Sequence, residues 1–207
     1  MDTMGRFTAI GMRTKITAPN ALIINTCSGN DTAEAGDATH WTWANPTNRA
    51  VTHKYHDIEA VSTEALWQGT KMRPGQTRPD AQTLAGDWRR AKGRKPAGAY
   101  AGPGQPLITT PGEARRRIYI PAMAQQLRYW STNPTVTAAV EAAYAHDGPV
   151  FLRDHDTGRG IDRNGPMSHA WLIATWLNEC DNAIEWLTAI ALGETEHEDA
   201  HTTERIR

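Results

Sequence analysis

The stretch Ser62–Lys71 reads Ser-Thr-Glu-Ala-Leu-Trp-Gln-Gly-Thr-Lys and has the pattern of a short capped helix. Either of its first two residues can cap the N-terminus, and Glu64 falls in the first turn, where the helix dipole favours a carboxylate. If the helix continues, Glu64, Gln68 and Lys71 share one face. A carboxylate, an amide and an ammonium on one face suit a polar ligand, although an ordinary solvated face has the same pattern.

The pattern Ser/Thr-x-Glu-x-x-x-Gln-x-x-Lys, with Trp67 just before the Gln, resembles the signature helix of the NADAR family. Proteins of that family are N-glycosidases with a small α+β fold. They cleave a ribosyl carbon–nitrogen bond, either in an early riboflavin-pathway intermediate or in ADP-ribose attached to guanine. The resemblance implies that Glu64 is catalytic and that Gln68 and Lys71 hold substrate hydroxyls or phosphate. It extends over about residues 21–178, and the match is close only in the signature helix.

The composition sets limits on the class of protein. A chain of 207 residues fits one compact domain, and its net charge of -1 gives no global attraction to nucleic acid or to an anionic membrane. Any nucleic-acid contact would therefore be local. Cys27 and Cys180 are far apart and form no disulfide framework, which favours a reducing compartment. No stretch approaches the roughly 20 apolar residues of a membrane span, so we expect a cytoplasmic protein without membrane contact.

We expect a single catalytic domain over residues 1–193, of the α+β class, with a small mixed sheet surrounded by several helices as in NADAR proteins. Residues 1–18 mix charge, Gly and Thr, and predict an N-terminal arm or an edge hairpin. The β-rich run 21–26 predicts a strand that ends in a turn. Residues 194–207 predict a charged, mobile tail.

Eight tryptophans are spread along the chain, and most are expected in the core. Trp67 and Trp41 lie nearest the candidate site in the sequence and could stack on a base or a ribose. Trp41 begins the segment 41–49, which occupies the place of a loop that closes over the ligand in the resembling family.

Helix signals recur in the second half of the chain. Residues 80–92 predict a short amphipathic helix, and the basic loop 92–104 could meet a phosphate or be solvated. The run Thr110-Pro111-Gly112-Glu113 predicts a capped helix that restarts near Pro121 and ends near Trp130. Further helices are predicted over 135–146, after Ser168, and over 182–192. The resemblance implies an arginine-bearing helix here, and Arg117 is the candidate for a substrate contact.

The apolar run Val150-Phe151-Leu152 predicts a buried strand that delivers Asp154, His155 and Asp156 at its C-terminal end. In the resembling family, the last core strand leads to an acidic residue in a Gly-rich loop and then to an Asn-bearing turn. Asp154 or Asp156 could be that acid, Asn164 the amide, and His169 a further substrate contact. The family's usual Trp-Gly-x-Gly lead into the loop is absent, so the chain would be a divergent member.

These residues suggest a chemistry. A carboxylate beside the ribosyl carbon stabilises developing positive charge and can take a proton from water, which suits Glu64. Asp154 or Asp156 would be the acid or the ribose anchor. The competing hypothesis is a metal site made of Asp154, His155 and Asp156 with His169, but adjacent residues of a strand alternate faces. We therefore predict no metal.

The sequence thus predicts a cofactor-free N-glycosidase that removes ADP-ribose from a modified guanine in nucleic acid or nucleotide. Two alternatives stay open within the same fold. One is hydrolysis of a riboflavin-pathway ribosylamine phosphate. The other is a protein without turnover, either a module that binds ADP-ribose or a nucleotide, or a phage assembly protein.

Overall fold

The computed structural model describes residues 6–27, 41–91 and 95–192 of the chain. Seven strands and seven α-helices are described there, with 3-10 turns at Thr42–Ala44 and Trp88–Ala91. The strands are β1 Phe7–Gly11, β2 Leu22–Asn25, β3 His53–Tyr55, β4 Ile58–Ala60, β5 Lys71–Met72, β6 Gly98–Ala99 and β7 Val150–Asp154. The helices are α1 Thr63–Gly69, α2 Ala81–Leu84, α3 Pro111–Ala114, α4 Ile120–Trp130, α5 Pro134–Ala145, α6 His169–Asn178 and α7 Ala183–Leu192.

The central sheet has three parallel strands in the order β1-β7-β2. Val150 of β7 is in register with Phe7 on one side and with Leu22 on the other. Parallel strands end at the same edge of a sheet, so Gly11, Asn25 and Asp154 come together there. The general α+β class is confirmed. The predicted mixed sheet is wrong, because the described strands form one parallel sheet and two separate antiparallel pairs, β3-β4 and β5-β6.

Part of the segment 1–18, for which an arm or an edge hairpin is predicted, pairs with the central sheet. Phe7 to Gly11 form an edge strand of the parallel sheet, and Phe7 is anchored because its main-chain N–H donates to Asn178 Oδ1 (2.9 Å) and its carbonyl accepts from Asn178 Nδ2 (2.7 Å). The weak periodicity of this segment follows from its partial burial, which leaves only Phe7 fully inside. The predicted tail, residues 194–207, lies outside the described residues.

The main core lies between the central sheet and the helices α4 to α7. Its largest fully buried side chains include Trp43, Trp176 and Trp186, and each such indole removes a large apolar area from water. Trp41 packs beside Trp43, with ring centroids 5.0 Å apart. Three more, Trp67, Trp130 and Trp171, are partly buried against the same core, so the expectation that most of the eight tryptophans lie in the core is confirmed.

Local cap chemistry explains where several helices begin. Ser62, Asp80, Thr110, Asn133 and Ser168 each accept a hydrogen bond from a main-chain N–H in the first turn that follows. Between α3 and α4 the chain forms a π-helical turn, Arg115–Tyr119, and Pro121 lies in the first turn of α4. The predicted restart near Pro121 is thus confirmed.

Two predicted helices end early. The helix that contains Glu64 stops at Gly69, and Lys71 belongs to strand β5. The predicted helix over 80–92 is broken after α2, because Gly86 has a φ of +112°. Within the described residues, no helix is both long and apolar enough to cross a bilayer.

Candidate active site

A cavity of about 900 Å³ lies at the C-terminal edge of the central sheet, beside α1. Its volume is at the large end of the range of about 300–1,000 Å³ that is typical of ligand pockets. The lining includes seven of the residues that the sequence singled out: Glu64, Trp67, Gln68, Lys71, Asp154, Asp156 and His169. Residues far apart in the sequence therefore meet in one cavity.

The wall formed by α1 and β5 carries a short chain of hydrogen bonds. Gln68 Nε2 donates to Glu64 Oε1 at 2.8 Å, and Lys71 Nζ donates to Gln68 Oε1 at 2.8 Å. The Lys71 ammonium also lies 4.8 Å from the centre of the Trp67 ring. Burial lowers the pKa of Lys71 to about 8, against the opposing attraction of the Glu64 carboxylate. The amide of Gln68 thus holds a carboxylate and an ammonium in fixed positions.

A buried polar network fixes the start of α1. The Gln126 side chain is fully buried, and its Nε2 donates to the carbonyls of Trp43 and Asn45, both at 2.7 Å. Its Oε1 accepts from Thr63 Oγ1 at 2.8 Å. The main-chain N–H of Glu64 donates to Pro46 O at 2.7 Å. One glutamine of α4 therefore joins the 43–46 loop to the turn that presents Glu64.

Asp154 is the most highly bonded carboxylate of the cavity and is only 3% exposed. Its Oδ2 accepts from Ser168 Oγ (2.7 Å) and from the main-chain N–H of Ala170 (3.4 Å), and it lies 3.0 Å from His169 Nδ1. The main-chain N–H of Asp156 donates to Oδ1 (3.3 Å). Burial raises the pKa of Asp154, but the His169 imidazolium and these donors outweigh it and hold the pKa far below its ordinary value. Asp154 is therefore held in its anionic form near neutral pH.

His169 is the cationic partner in this buried pair. Burial disfavours its charged form, but the Asp154 carboxylate more than offsets that effect, so the pKa of His169 is raised. Its other ring nitrogen, Nε2, lies 2.9 Å from the Thr26 carbonyl. Both ring nitrogens are engaged, so His169 has no free donor for a substrate.

Cys27 is a cavity residue that sequence reasoning did not include in the site. It follows β2, and the parallel pairing with β7 brings its Sγ within 3.6 Å of Asp154 Oδ1. Burial and the Asp154 carboxylate raise the pKa of the thiol to about 12, so it is not a thiolate nucleophile. Its position in the cavity depends on which strands pair, and a single sequence does not show that pairing.

The four residues of the competing metal hypothesis, Asp154, His155, Asp156 and His169, do not all come together in the structure. Among the described residues, the set that could hold an ion is Cys27, Asp154 and His169, whose ligand atoms lie within 4.8 Å of one another. His155 and Asp156 are outside this set, and both are exposed. The Asp154 oxygens and the His169 nitrogens already have protein partners, so a metal would have to displace them. The donor set fits an ion pair better than a metal centre.

Three predicted substrate contacts lie elsewhere. Trp41 is fully buried in the core, so it cannot stack on a ligand in this structure. Arg117 is outside the cavity lining and bonds Glu113 at 3.1 Å. Asn164 is exposed and is also outside the lining. The structure therefore does not bring these three residues into the cavity lining.

Arg115, rather than Arg117, is the arginine of this region that reaches the cavity. Its guanidinium is buried and donates to the carbonyls of Ile161, Arg163 (2.8 Å) and Gly165. It thereby shapes the loop that follows β7. Of the predicted basic loop, Lys95 lines the cavity, while Lys92 and Arg94 lie outside the described residues.

No family model matches this chain, and neither the search of curated proteins nor that of solved structures gives a match. Membership of the NADAR family therefore stays a prediction from the signature residues.

Proposed function

We propose that this protein is an N-glycosidase that hydrolyses the bond between a ribosyl carbon and a base nitrogen, with ADP-ribose on a guanine as the preferred substrate. The observation that supports this most is the meeting of Glu64 with the Asp154 and Asp156 carboxylates in one large cavity. Tyr119 also lines this cavity, and burial, followed by the charges of these three groups, raises the pKa of Tyr119 well above its ordinary value.

The two aspartates have different parts in the proposal. Asp154 is an anion fixed by its donors and paired with the His169 imidazolium, so it positions His169 and is not the proton donor. Asp156 is exposed and lines the cavity, so its carboxyl group is available to a ligand. The choice between the two acids that the sequence left open therefore falls on Asp156.

The proposed reaction proceeds by attack of water on the ribosyl carbon. Glu64 takes the proton from the water as the new carbon–oxygen bond forms, and its charge stabilises the cationic sugar in the transition state. The carbon–nitrogen bond breaks, and its electron pair stays on the base nitrogen. Asp156 binds the ribose hydroxyls and, as the general acid of the proposal, delivers a proton to the departing nitrogen.

The other lining groups suit a nucleotide-sized substrate. Lys71 provides a cation inside the cavity, and Lys95 provides another on its lining for phosphate oxygens. Trp67 is partly buried against the core, so it offers the cavity part of an indole surface for packing. The volume leaves room for more than a ribosylamine phosphate.

The test is to incubate the protein separately with an ADP-ribosylated guanine nucleotide, with the riboflavin-pathway ribosylamine phosphate and with free ADP-ribose, and to follow base and sugar release by chromatography. We expect release from the first substrate, unchanged by a metal chelator. Release from the ribosylamine phosphate alone would move the assignment to the riboflavin pathway. Binding of any of the three without release would indicate a non-catalytic module, and loss of release with chelator would restore the metal hypothesis.

A further inference from the structure

A second, shallower cavity of about 570 Å³ adjoins the first and shares His155 with it. Its lining comprises Gly11, Met12, Arg13, Thr14 and His155. The main-chain N–H of Met12 donates to the Asp154 carbonyl at 3.0 Å, which ties the turn after β1 to the end of β7. The exposed imidazole of His155 therefore stands between the candidate active site and this turn.

Basic side chains collect around the second cavity. Arg153 Nη2 lies 3.5 Å from the Thr14 carbonyl, and Arg159 Nη2 lies 3.5 Å from the Ala9 carbonyl. Arg13 and Lys15, on the same turn, are both exposed. We call these four residues the basic rim.

The cations of the basic rim have unused hydrogen-bonding capacity. None of the four forms a salt bridge with a carboxylate in the part of the chain that the structure describes, whereas Lys54, Arg78 and Arg116 do. The Nε of Arg153 is buried and has no hydrogen-bond partner. On a chain whose net charge is -1, this is a local excess of positive charge.

The chemistry of the rim fits the phosphates of a polynucleotide better than a membrane. The exposed large apolar side chains of the described residues, Tyr129, Ile184 and Leu192, belong to α4 and α7, so the rim has no such group to insert into lipid. A base that enters the cavity beside His155 must leave a stack or come from a single strand. Its neighbouring phosphates would then lie beside His155, next to the second cavity that Arg13 lines.

We propose that the basic rim binds the sugar–phosphate backbone of a single-stranded polynucleotide, so that the protein acts on a modified base within a strand. This inference rests on the proposed function for the base in the cavity, but binding at the rim can be measured without catalysis.

The experiment compares the double variant Arg13→Gln/Arg159→Gln with a matched double variant, Lys54→Gln/Arg78→Gln. Both lose two positive charges from exposed side chains, and Lys54 and Arg78 lie on or near the β3-β4 pair. Binding of a fluorescein-labelled oligothymidylate is followed by anisotropy over a salt series. We expect the rim variant to bind on the order of tenfold more weakly at low salt, with a log–log salt slope reduced by about 1.4, since each phosphate contact on a single strand contributes about 0.7. The control variant should bind like the unaltered protein.

Hydrolysis separates this proposal from the proposed function. We expect the rim variant to keep its kcat/KM for an ADP-ribosylated guanine mononucleotide and to lose it for the same base in a single strand. Equal binding by the two double variants, no binding of the oligonucleotide by the unaltered protein, or binding to phosphatidylserine vesicles instead would each overturn the rim proposal. Strand binding that depends on the rim, without hydrolysis of either substrate, would support the rim and refute the glycosidase.

Discussion

Replacing Asp154 with Asn tests the buried ion pair beneath the cavity. Asp154 and His169 have side chains only 4% and 10% exposed, and no other carboxylate is hydrogen-bonded to this histidine in the described residues. Removing one partner of a buried pair leaves the other charge uncompensated and costs about 3–5 kcal/mol. The cost should be near the upper part of that range, since His169 is the first residue of α6, where the helix dipole disfavours a cation.

Urea unfolding, with thermal unfolding beside it, measures this cost. For a chain of this size, 3–5 kcal/mol corresponds to a fall in Tm on the order of 10 °C. The matched control is Asp147→Asn, an exposed carboxyl three residues before β7, which should change stability by less than about 0.5 kcal/mol. A loss below about 1 kcal/mol for Asp154→Asn would show that the pair behaves like an exposed salt bridge and would refute the reasoning.

The pH dependence of the stability lost in Asp154→Asn gives a second test. The pKa of Asp154 is lowered, so its contribution is present above the ordinary carboxyl value of 3.8 and disappears as pH falls through the folded value. The pKa of His169 is raised, so its contribution is complete below the ordinary value of 6.5 and disappears as pH rises through the folded value. The difference between Asp154→Asn and the unaltered protein should therefore be largest between pH 3.8 and pH 6.5.

Two further predictions concern α1 and its support. Gln126→Leu should destabilise the protein by about 2–3 kcal/mol in urea unfolding, because it leaves two main-chain carbonyls without their donor, whereas Gln82→Leu on the exposed side of α2 should cost less than about 1 kcal/mol. A loss of equal size in both variants would contradict the role given to Gln126. The second prediction concerns Lys71: the KM for a phosphate-bearing substrate should rise as pH increases through about 8, where Lys71 loses its charge. The Lys71→Gln variant should have a high KM that is independent of pH over that range, and a pH-dependent KM in this variant would count against Lys71.

Local signals in the sequence were sufficient for much of the fold. The capping residues Ser62, Asn133 and Ser168 predict where three helices begin, because their side chains satisfy main-chain donors of the next turn. The apolar run of β7 predicts a buried strand in the same way. Glu64, Gln68 and Lys71 all line the cavity as the sequence pattern suggests, although Lys71 belongs to strand β5 and not to the helix.

What the sequence could not provide is information on which distant segments pair. Phe7 to Gly11 have no strong alternation, and their place beside β7 depends on parallel pairing across more than a hundred residues. The parallel pairing of β2 with β7 likewise brings Cys27 to the Asp154 carboxylate. The sequence also did not indicate which arginine of the segment reaches the cavity: Arg115 lines it and Arg117 does not, and both belong to a π-helical turn that an ordinary helical period does not anticipate.

The most direct test of the central claim is single-turnover hydrolysis of an ADP-ribosylated guanine nucleotide by Glu64→Gln. The amide oxygen of the new side chain can still accept the bond from Gln68, so the fold and ligand binding should be retained, as measured by calorimetry. We expect base release to fall by at least about a hundredfold, in the range for loss of a general base, while Glu141→Gln on the exposed face of α5 keeps full activity. Release by Glu64→Gln at the rate of the unaltered protein would contradict the account.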